Sequence, residues 1–205
     1  MLKKVIKFFY MQMLRIICKN CYETRKTQTP ILLRHILKQK VFGYNRNVYW
    51  PVHFTSIVTH PQNICIGIDT SPGYMPGCYI QGNGKVFIGD YTQISANVGI
   101  ISSNHNLYDT RKHNVSQVII GKYCWLGMNT MILPGVELGD FTIVGAGSVV
   151  SKSFSDGYCV IAGNPAKIIK TLDKNECIMF ENNYKYNGFV KNSNFDNFRK
   201  KNLNV

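Results

Sequence analysis

IGKYCWLGMNTMILPGVELGDFTIVGAGSVV, residues 120–150, repeats one pattern every six residues. An aliphatic residue opens each hexad, at Ile120, Leu126, Ile132, Leu138, Val144 and Val150. A small residue stands four positions later, at Cys124, Thr130, Val136, Thr142 and Ser148. Neither a helix nor a half-buried strand has this period, whereas a prism-shaped parallel β-helix does, with three hexads per coil. The aliphatic and small residues are therefore expected to face a narrow interior.

Glycine follows the aliphatic residue in four of these hexads, at Gly121, Gly127, Gly139 and Gly145. Because backbone without a Cβ can turn tightly, these glycines are expected at the corners of the prism.

The repeat also divides the chain. It starts near Ile64, breaks at the turn residues 71–77, resumes at Ile80 and is absent from the polar residues 102–117. Stacked coils lie only about 4.8 Å apart, so a polar interruption must leave the prism as an external loop. The sequence thus predicts a helical and irregular N-terminal extension (1–60), an all-β parallel β-helix domain (61–166) with an external loop (102–117), and a C-terminal part (167–205). The C-terminal part is expected to hold one short helix around 175–180 and then to loosen.

Charge is concentrated at the N-terminus: the chain carries +13 in all, and +9 of it lies in residues 1–40. Apolar residues recur there at helical spacing, at Leu2, Val5, Ile6, Phe9, Met13 and Ile16, with lysines and arginines between them. Two interpretations stay open, a helix packed on the protein itself and an amphipathic helix on an anionic membrane. The apolar run is too short to cross a bilayer. Nucleic-acid binding is not expected, since no recognition module accompanies the basic residues.

The seven cysteines are scattered and odd in number, which favours a reducing, cytoplasmic location, at the inner membrane face if the N-terminus binds lipid. Cys124 occupies one of the small inward positions and is expected to be a buried free thiol.

His105 is the first candidate for chemistry, because it lies in the predicted external loop and histidine can act as a general base near neutral pH. Several motifs keep both order and spacing: SNHNLYD (103–109), IGKYCWLG (120–127), ILPGV (132–136), VGAGSVV (144–150) and AGNPAK (162–167). Together they resemble the hexapeptide-repeat O-acetyltransferases, in particular the maltose, galactoside, nodulation and colanic-acid acetyltransferases. The resemblance covers about residues 64–170.

The resemblance implies a left-handed parallel β-helix, a homotrimer, and acetyl-CoA-dependent O-acetylation of a carbohydrate hydroxyl, with no metal. His105 would be the general base, and Asp109 would orient its imidazole or the loop, or only form a turn. The coenzyme would lie between coils of adjacent subunits. The positions matching its contacts are Gly127, Met128, Ala146, Ser151, Lys152, Lys167 and Lys170. Asn83 lies near an acceptor-binding position of the family, and Trp125 is expected at a coil corner beside the coenzyme.

Three other functions stay open. The same base and thioester would serve N-acylation of an amino sugar. A metal lyase of the γ-carbonic-anhydrase kind uses the same prism but needs three histidines, and only His105 and His113 lie in the loop. His113 is otherwise expected to be a bystander. A non-catalytic β-helix scaffold is the third alternative. The acceptor itself, whether a free sugar, a lipid-linked glycan or a surface polysaccharide unit, is not specified by the sequence.

Overall fold

The computed structural model describes residue 6 and residues 12–205. Its helical segments are residues 12–17, α1 (Lys19–Glu23), α2 (Leu33–Ile36), a π-helical turn (Leu37–Val41), the 3-10 turns Pro61–Asn63 and Lys174–Glu176, and α3 (Asn192–Asn202). Its strands are β1 (Ile57–Thr59), β2 (Ile64–Ile66), β3 (Tyr79–Gln81), β4 (Val86–Ile88), β5 (Gln93–Ile94), β6 (Gly99–Ile101), β7 (Ser103–His105), β8 (His113–Val115), β9 (Val118–Ile120), β10 (Trp125–Leu126), β11 (Met131–Ile132), β12 (Glu137–Leu138), β13 (Thr142–Val144), β14 (Val149–Val150), β15 (Cys159–Gly163), β16 (Ala166–Thr171), β17 (Tyr186–Asn187) and β18 (Val190–Lys191).

Most strands belong to three sheets that the chain visits in rotation. The first sheet has the order β1-β3-β6-β11-β14, the second β12-β9-β4-β2, and the third β16-β15-β13-β10-β5. Every pairing within them is parallel except the last, β15 with β16. From β9 to β14 each successive strand moves to the next sheet, so one turn of the chain contributes one strand to each face of a three-sided coil.

The register of these strands explains the six-residue period. Ile120 pairs with Leu138, Leu126 with Val144, and Ile132 with Val150, each pair being three hexads apart. All six of these side chains are at most 1% exposed, and the five small residues are at most 2% exposed. The predicted inward positions are therefore confirmed, and the core is a column of aliphatic side chains inside the coil.

The glycines act differently from the prediction. Gly121 does not lie in the left-handed region of backbone conformations, and its missing Cβ would stand 2.6 Å from backbone atoms of Gly139 and Asp140 on the next coil. The tight turns are made instead by non-glycine residues with positive φ, such as Tyr91, Tyr123 and Asn129. Gly121 is thus required by the close approach of two coils and not by a turn.

Four aromatic residues with positive φ stack on one another at one corner of the coil. Tyr91, Tyr123, Phe141 and Tyr158 all have φ between 47° and 58°. Successive ring centroids are 5.2, 4.9 and 5.2 Å apart, with interplanar angles of 12° to 24°. Packing between the rings offsets part of the cost of the left-handed conformation.

The domain boundaries differ slightly from the prediction of 61–166. β1 (Ile57–Thr59) already pairs with β3, so the coil begins within the segment assigned to the N-terminal extension. At the other end, β16 continues the last sheet to Thr171. The sequence did not indicate β1, because the polar and aromatic residues around Pro61 do not follow the hexad pattern.

The C-terminal part was predicted to loosen, and this is wrong. After the 3-10 turn Lys174–Glu176 the chain returns to the start of the coil, where α3 buries Phe195 against Tyr49 at a ring-centroid distance of 6.0 Å. Asn187 donates from its side chain to the Ile66 carbonyl at 2.9 Å. The tail covers apolar side chains at the edge of the first coil, and removing this apolar surface from water stabilises the ordered tail.

Asp69 joins three parts of the chain. It is 6% exposed, and its carboxylate accepts hydrogen bonds from the Gln28 and Thr29 amides (both 2.9 Å), the Thr29 hydroxyl (3.0 Å) and the Asn182 side chain (2.8 Å). The N-terminal extension, the first coil and the tail thereby meet at one buried charge, which is stable only while these donors surround it.

Asp69→Asn is expected to lower the free energy of unfolding by about 1–3 kcal/mol. The substitution replaces one carboxylate oxygen, which accepts hydrogen bonds, by an NH₂ group, which would face the N–H and O–H donors around it. Asparagine tolerates the φ of 51° at this position, so backbone strain is not added. Urea denaturation would measure the change, with the exposed Asp156→Asn as control. Equal midpoints for the two variants would show that Asp69 does not hold the three parts together.

The predicted amphipathic N-terminal segment lies partly outside the described residues. Of its six apolar positions, Ile6, Met13 and Ile16 are described, and they are 59%, 43% and 84% exposed. Leu2, Val5 and Phe9 lie outside the described part, so the choice between the two interpretations stays open. Within the part of the chain that the structure covers, no helix is long and apolar enough to span a bilayer.

Candidate active site

The external loop is an antiparallel hairpin at the corner between the first and second sheets. β7 pairs with β8, with Ser103 opposite Val115 and His105 opposite His113. The hairpin leaves the coil after β6 and returns at β9. Polar residues can occupy it because its backbone pairs with itself and its side chains are not enclosed by coils.

His105 is exposed, and its ring is fixed from one side. Its Nδ1 lies 2.5 Å from the Thr110 carbonyl oxygen. Since a carbonyl can only accept, Nδ1 carries a proton in this contact, and in the neutral tautomer the free lone pair is then on Nε2. The His113 ring packs beside it at a centroid distance of 4.4 Å. A neutral imidazole held by one nitrogen and open at the other is the form required of a general base.

Asp109 has contacts that favour a role in the loop over one on the imidazole. Its carboxylate accepts from Arg111 Nε at 2.9 Å and lies 3.7 Å from Lys112 Nζ. The Arg111 guanidinium lowers the pKa of Asp109. Within the described residues its carboxylate has no hydrogen bond to His105. The carbonyl of Thr110 orients the imidazole instead, and a backbone group gives no signal in a sequence.

Asn83 lies at the same corner as the hairpin, one coil earlier. Its side chain donates to Ser103 Oγ at 2.8 Å, and Ser103 in turn bonds to Gln81 Oε1 at 3.0 Å. Ser103 and His105 are alternate residues of β7 and so point to the same side of the hairpin. The predicted acceptor residue and the predicted base are thereby brought to one corner of the coil.

The positions matched to the coenzyme arm form a second group, at the corner between the third and first sheets. Gly127 and Met128 follow β10, and Ala146 follows β13 one coil later. The two coils approach closely there, because a Cβ on Gly127 would stand 2.7 Å from the Ala146 nitrogen. Met128 is 50% exposed. The Gly147 amide donates to the Met128 carbonyl at 2.8 Å.

One protomer does not bring these two corners together. The two corners lie at opposite edges of the first sheet, so the width of that sheet separates Met128 and Ala146 from His105. Ser151 and Lys152 follow β14 at the His105 corner, and both are exposed. Lys167 and Lys170 are exposed on β16, opposite Ala162 and Val160 in the third sheet. Within one chain, the residues matched to the coenzyme therefore lie on different corners and faces of the coil.

Trp125 lies on the outer face of the third sheet and not at a corner. It pairs with Gln93 and Ile143, is 50% exposed, and donates from Nε1 to Ser95 Oγ at 3.2 Å. The expectation of a corner position is therefore wrong, because the residue directly before an inward aliphatic must point outward from its strand.

The cysteines divide into one bonded pair and five free thiols. Cys18 and Cys21 form a disulfide, whereas Cys65, Cys78, Cys124, Cys159 and Cys177 are free. Cys124 is 1% exposed, which confirms it as a buried thiol. Burial raises its pKa to about 12. The reducing compartment stays a prediction.

Cys124 is expected to resist alkylation by iodoacetamide at pH 8 until the protein unfolds. A raised pKa keeps the thiol protonated at that pH, and only the thiolate attacks the reagent. Peptide mass spectrometry after labelling in the presence and absence of urea would measure the protection, with the partly exposed Cys177 as the internal control. Labelling of Cys124 as fast as Cys177 in the native protein would contradict its enclosure.

Among residue 6 and residues 12–205, no group of three or more His, Cys, Asp or Glu side chains is arranged to hold a metal ion.

The repeat and its three-sided coil define the class of protein. Residues 117–152 match the family described as bacterial transferase hexapeptide (six repeats). Over these residues the chain is similar to the hexapeptide-repeat transferases.

Its relatives within that class are acetyltransferases. It is 38% identical over 130 residues to the putative lipopolysaccharide biosynthesis O-acetyl transferase WbbJ of Escherichia coli K12, covering 63% of this chain and 59% of the relative. It is 29% identical over 152 residues to the galactoside O-acetyltransferase of the same organism, covering 72% and 71%. The solved structure of a galactoside acetyltransferase in complex with coenzyme A superposes with a TM-score of 0.56 at 27% identity, covering 69% and 70%.

These similarities confirm the resemblance to hexapeptide-repeat O-acetyltransferases that the motifs predicted. They do not extend over whole proteins, since the chain spans 50% to 61% of the length of several of the curated relatives that it matches.

Proposed function

We propose that this chain is an acetyl-CoA-dependent O-acetyltransferase that acts on a hydroxyl group of a carbohydrate, with His105 as the general base. The observation that carries the proposal is the imidazole of His105, fixed through Nδ1 by the Thr110 carbonyl and open at Nε2. The similarity to named acetyltransferases supports the donor, and the galactoside and lipopolysaccharide relatives support the class of acceptor.

The chemistry follows from the free nitrogen. Nε2 removes the proton of the acceptor hydroxyl while its oxygen attacks the carbonyl carbon of the acetyl thioester. The tetrahedral oxyanion collapses, the carbon–sulfur bond breaks, and the imidazolium returns the proton to the departing thiolate. Asn83, joined to the hairpin through Ser103, would bind the acceptor beside it.

The proposal includes a left-handed coil and a homotrimer, both of which hexapeptide-repeat acetyltransferases imply. The separation of the two candidate corners supports an assembly. Met128 and Ala146 of one copy would face the hairpin of the next, and the pantetheine arm would lie between them. Ser151, Lys152, Lys167 and Lys170 would lie toward the nucleotide end, where cations favour phosphate. Asp109 would hold the loop through its ion pairs with Arg111 and Lys112.

A transfer assay tests the function directly. The purified chain is incubated with acetyl-CoA and a panel of galactosides, maltose, amino sugars and a surface polysaccharide, and the products are analysed by mass spectrometry. The proposal predicts a mass gain of one acetyl group that mild alkali removes, as an ester requires. An alkali-stable product formed only on amino sugars would identify N-acylation instead. Release of coenzyme A without any acetylated product would contradict transfer to a sugar.

A further inference from the structure

A surface of the N-terminal extension combines exposed apolar side chains with positive charge. The segment from Thr24 to Ile68 contains no Asp or Glu and six Lys or Arg. Within it, α2 and the π-helical turn bury His35 (4% exposed) and Gln39 (0%) on one side. On the other side Leu33, Leu37 and Val41 are 38%, 49% and 63% exposed. The helical segment therefore presents an apolar stripe outward, not toward a core.

Neighbouring residues enlarge this stripe. Phe42, Tyr44 and Phe54 are 66%, 52% and 40% exposed. The rings of Tyr44 and Phe54 lie 6.1 Å apart, and Lys38 Nζ stands 3.5 Å from the Phe54 ring centroid. We define the basic apolar surface by its residues. Its six exposed apolar or aromatic residues are Leu33, Leu37, Val41, Phe42, Tyr44 and Phe54. Their cationic neighbours are Arg34, Lys38, Lys40 and Arg46.

The surface is held in place from beneath. The Gln39 side chain donates to the Trp50 carbonyl at 3.0 Å and accepts from the Val52 amide at 3.0 Å. Trp50 is fully buried in the core of the coil. Lys40 Nζ donates to the Arg46 carbonyl at 2.8 Å. The exposed side chains thus belong to a fixed platform, and their exposure is a property of the folded chain.

Positive charge dominates the surroundings of the platform. Burial, followed by repulsion from Arg34, His53 and Lys38, lowers the pKa of His35 to about 4. Burial, followed by repulsion from the same cations Lys38 and Arg34, also lowers the pKa of His53. A second copy docking through the same surface would bring two sets of cations, Arg34 and Lys38 included, into one interface, which like-charge repulsion disfavours. An occupant that is apolar within and anionic at its surface matches both features.

We propose that the basic apolar surface docks on an anionic phospholipid bilayer. Exposed Leu, Val and Phe would enter the boundary between headgroups and acyl chains, while Arg34, Lys38 and Arg46 would contact lipid phosphates. This surface is formed by described residues and shares no residue with the segment 1–20, for which the sequence left a membrane contact open. The inference does not depend on the proposed acetyl transfer, and its test does not use activity.

Vesicle binding tests the inference with the full-length chain. Binding is measured by flotation on vesicles of phosphatidylcholine alone and of phosphatidylcholine with about one third phosphatidylglycerol. The wild-type chain is expected to bind the anionic vesicles at least about tenfold more tightly. The double variant Arg34→Gln/Lys38→Gln is expected to lose about thirtyfold in affinity, at ~1 kcal/mol per cation near the bilayer. Val41→Ser/Phe42→Ser should lose about tenfold or more through its apolar contacts.

Matched controls come from the C-terminal part. Lys200 and Lys201 are exposed on α3, and Ile178 and Met179 are 79% and 72% exposed. Lys200→Gln/Lys201→Gln and Ile178→Ser/Met179→Ser remove the same charge and similar apolar area elsewhere, so both should keep wild-type binding. The altered side chains are exposed except Lys38, which is partly buried over the Phe54 ring, and circular dichroism would verify that each variant folds.

Three results would overturn the inference: no preference of the wild-type chain for anionic vesicles, surface variants that bind like the wild type, or controls that lose as much as the surface variants. Sedimentation of the same samples identifies the competing occupant. If Val41→Ser/Phe42→Ser lowers the molecular mass of the particle, the surface joins copies of the chain and does not dock on lipid.

Discussion

His105→Ala is expected to lower kcat/KM for acetyl transfer about 10²–10⁴-fold, the usual contribution of one positioned general base. The substitution removes Nε2 but leaves the hairpin pairing of β7 with β8, which is made by the backbone. Binding of acetyl-CoA should therefore be unchanged, so that the loss appears in kcat. Initial rates with the acceptor found in the transfer screen, together with a calorimetric titration, would separate the two quantities.

A neighbouring loop residue supplies the control for this prediction. Tyr108 is 98% exposed in the same loop, and Tyr108→Ala should reduce kcat/KM by much less than His105→Ala. Equal losses in the two variants would indicate that the loop, and not the imidazole, matters. Full activity of His105→Ala would remove His105 from the mechanism while leaving the family resemblance intact.

Gly121→Ala is expected to destabilise the protein by about 3 kcal/mol, the upper end for overpacking a filled interior. The added Cβ would lie 2.6 Å from backbone atoms of the next coil, which cannot move without breaking the hydrogen bond from the Gly121 amide to the Leu138 carbonyl. The φ of Gly121 suits any residue, so the cost is steric alone. Denaturant unfolding followed by circular dichroism would measure it.

Gly147→Ala separates crowding from backbone strain. Gly147 has φ +70°, and a Cβ there would meet nothing within 4 Å. Its cost should be conformational only, about 1 kcal/mol. If Gly147→Ala destabilised the protein more than Gly121→Ala, close approach of the coils would not be the stronger constraint at Gly121.

The interior of the coil could be predicted because its constraint repeats. Each inward position recurs every six residues and pairs with the position three hexads later, so that Ile120 and Leu138, or Leu126 and Val144, must both be apolar. The polar interruption that holds His105 is visible for the same reason, as the place where that constraint is absent. A periodic pattern thus identifies both the scaffold and the loop that departs from it.

Non-periodic contacts could not be predicted. Phe195 of α3 packs on Tyr49, and Asp69 accepts from Thr29 and Asn182, but nothing local in the sequence marks these partners. The tail is rich in Asn and Lys, a composition typical of loose segments, and its order comes from contacts with the first coil. The contacts of the tail with the first coil therefore determine its structure more than its local composition does.

The candidate site was predictable only in part. The residues came from the family resemblance, which did not indicate that the Asn83 side chain bonds to Ser103 of the His105 hairpin. The contact that fixes the imidazole is made by the backbone of Thr110, which any residue could supply. The separation of Met128 and Ala146 from His105 depends on which corners of the prism they occupy, and this requires the observed order of the sheets.

The central claim is that this hexapeptide-repeat coil uses acetyl-CoA, and a calorimetric titration of the purified chain with acetyl-CoA tests it most directly. The account predicts saturable binding with a dissociation constant on the order of micromolar, typical of an enzyme substrate. It also predicts weaker binding by Lys167→Gln/Lys170→Gln, whose lysines would lie near the phosphates. Absence of binding by a folded, assembled protein would contradict the account.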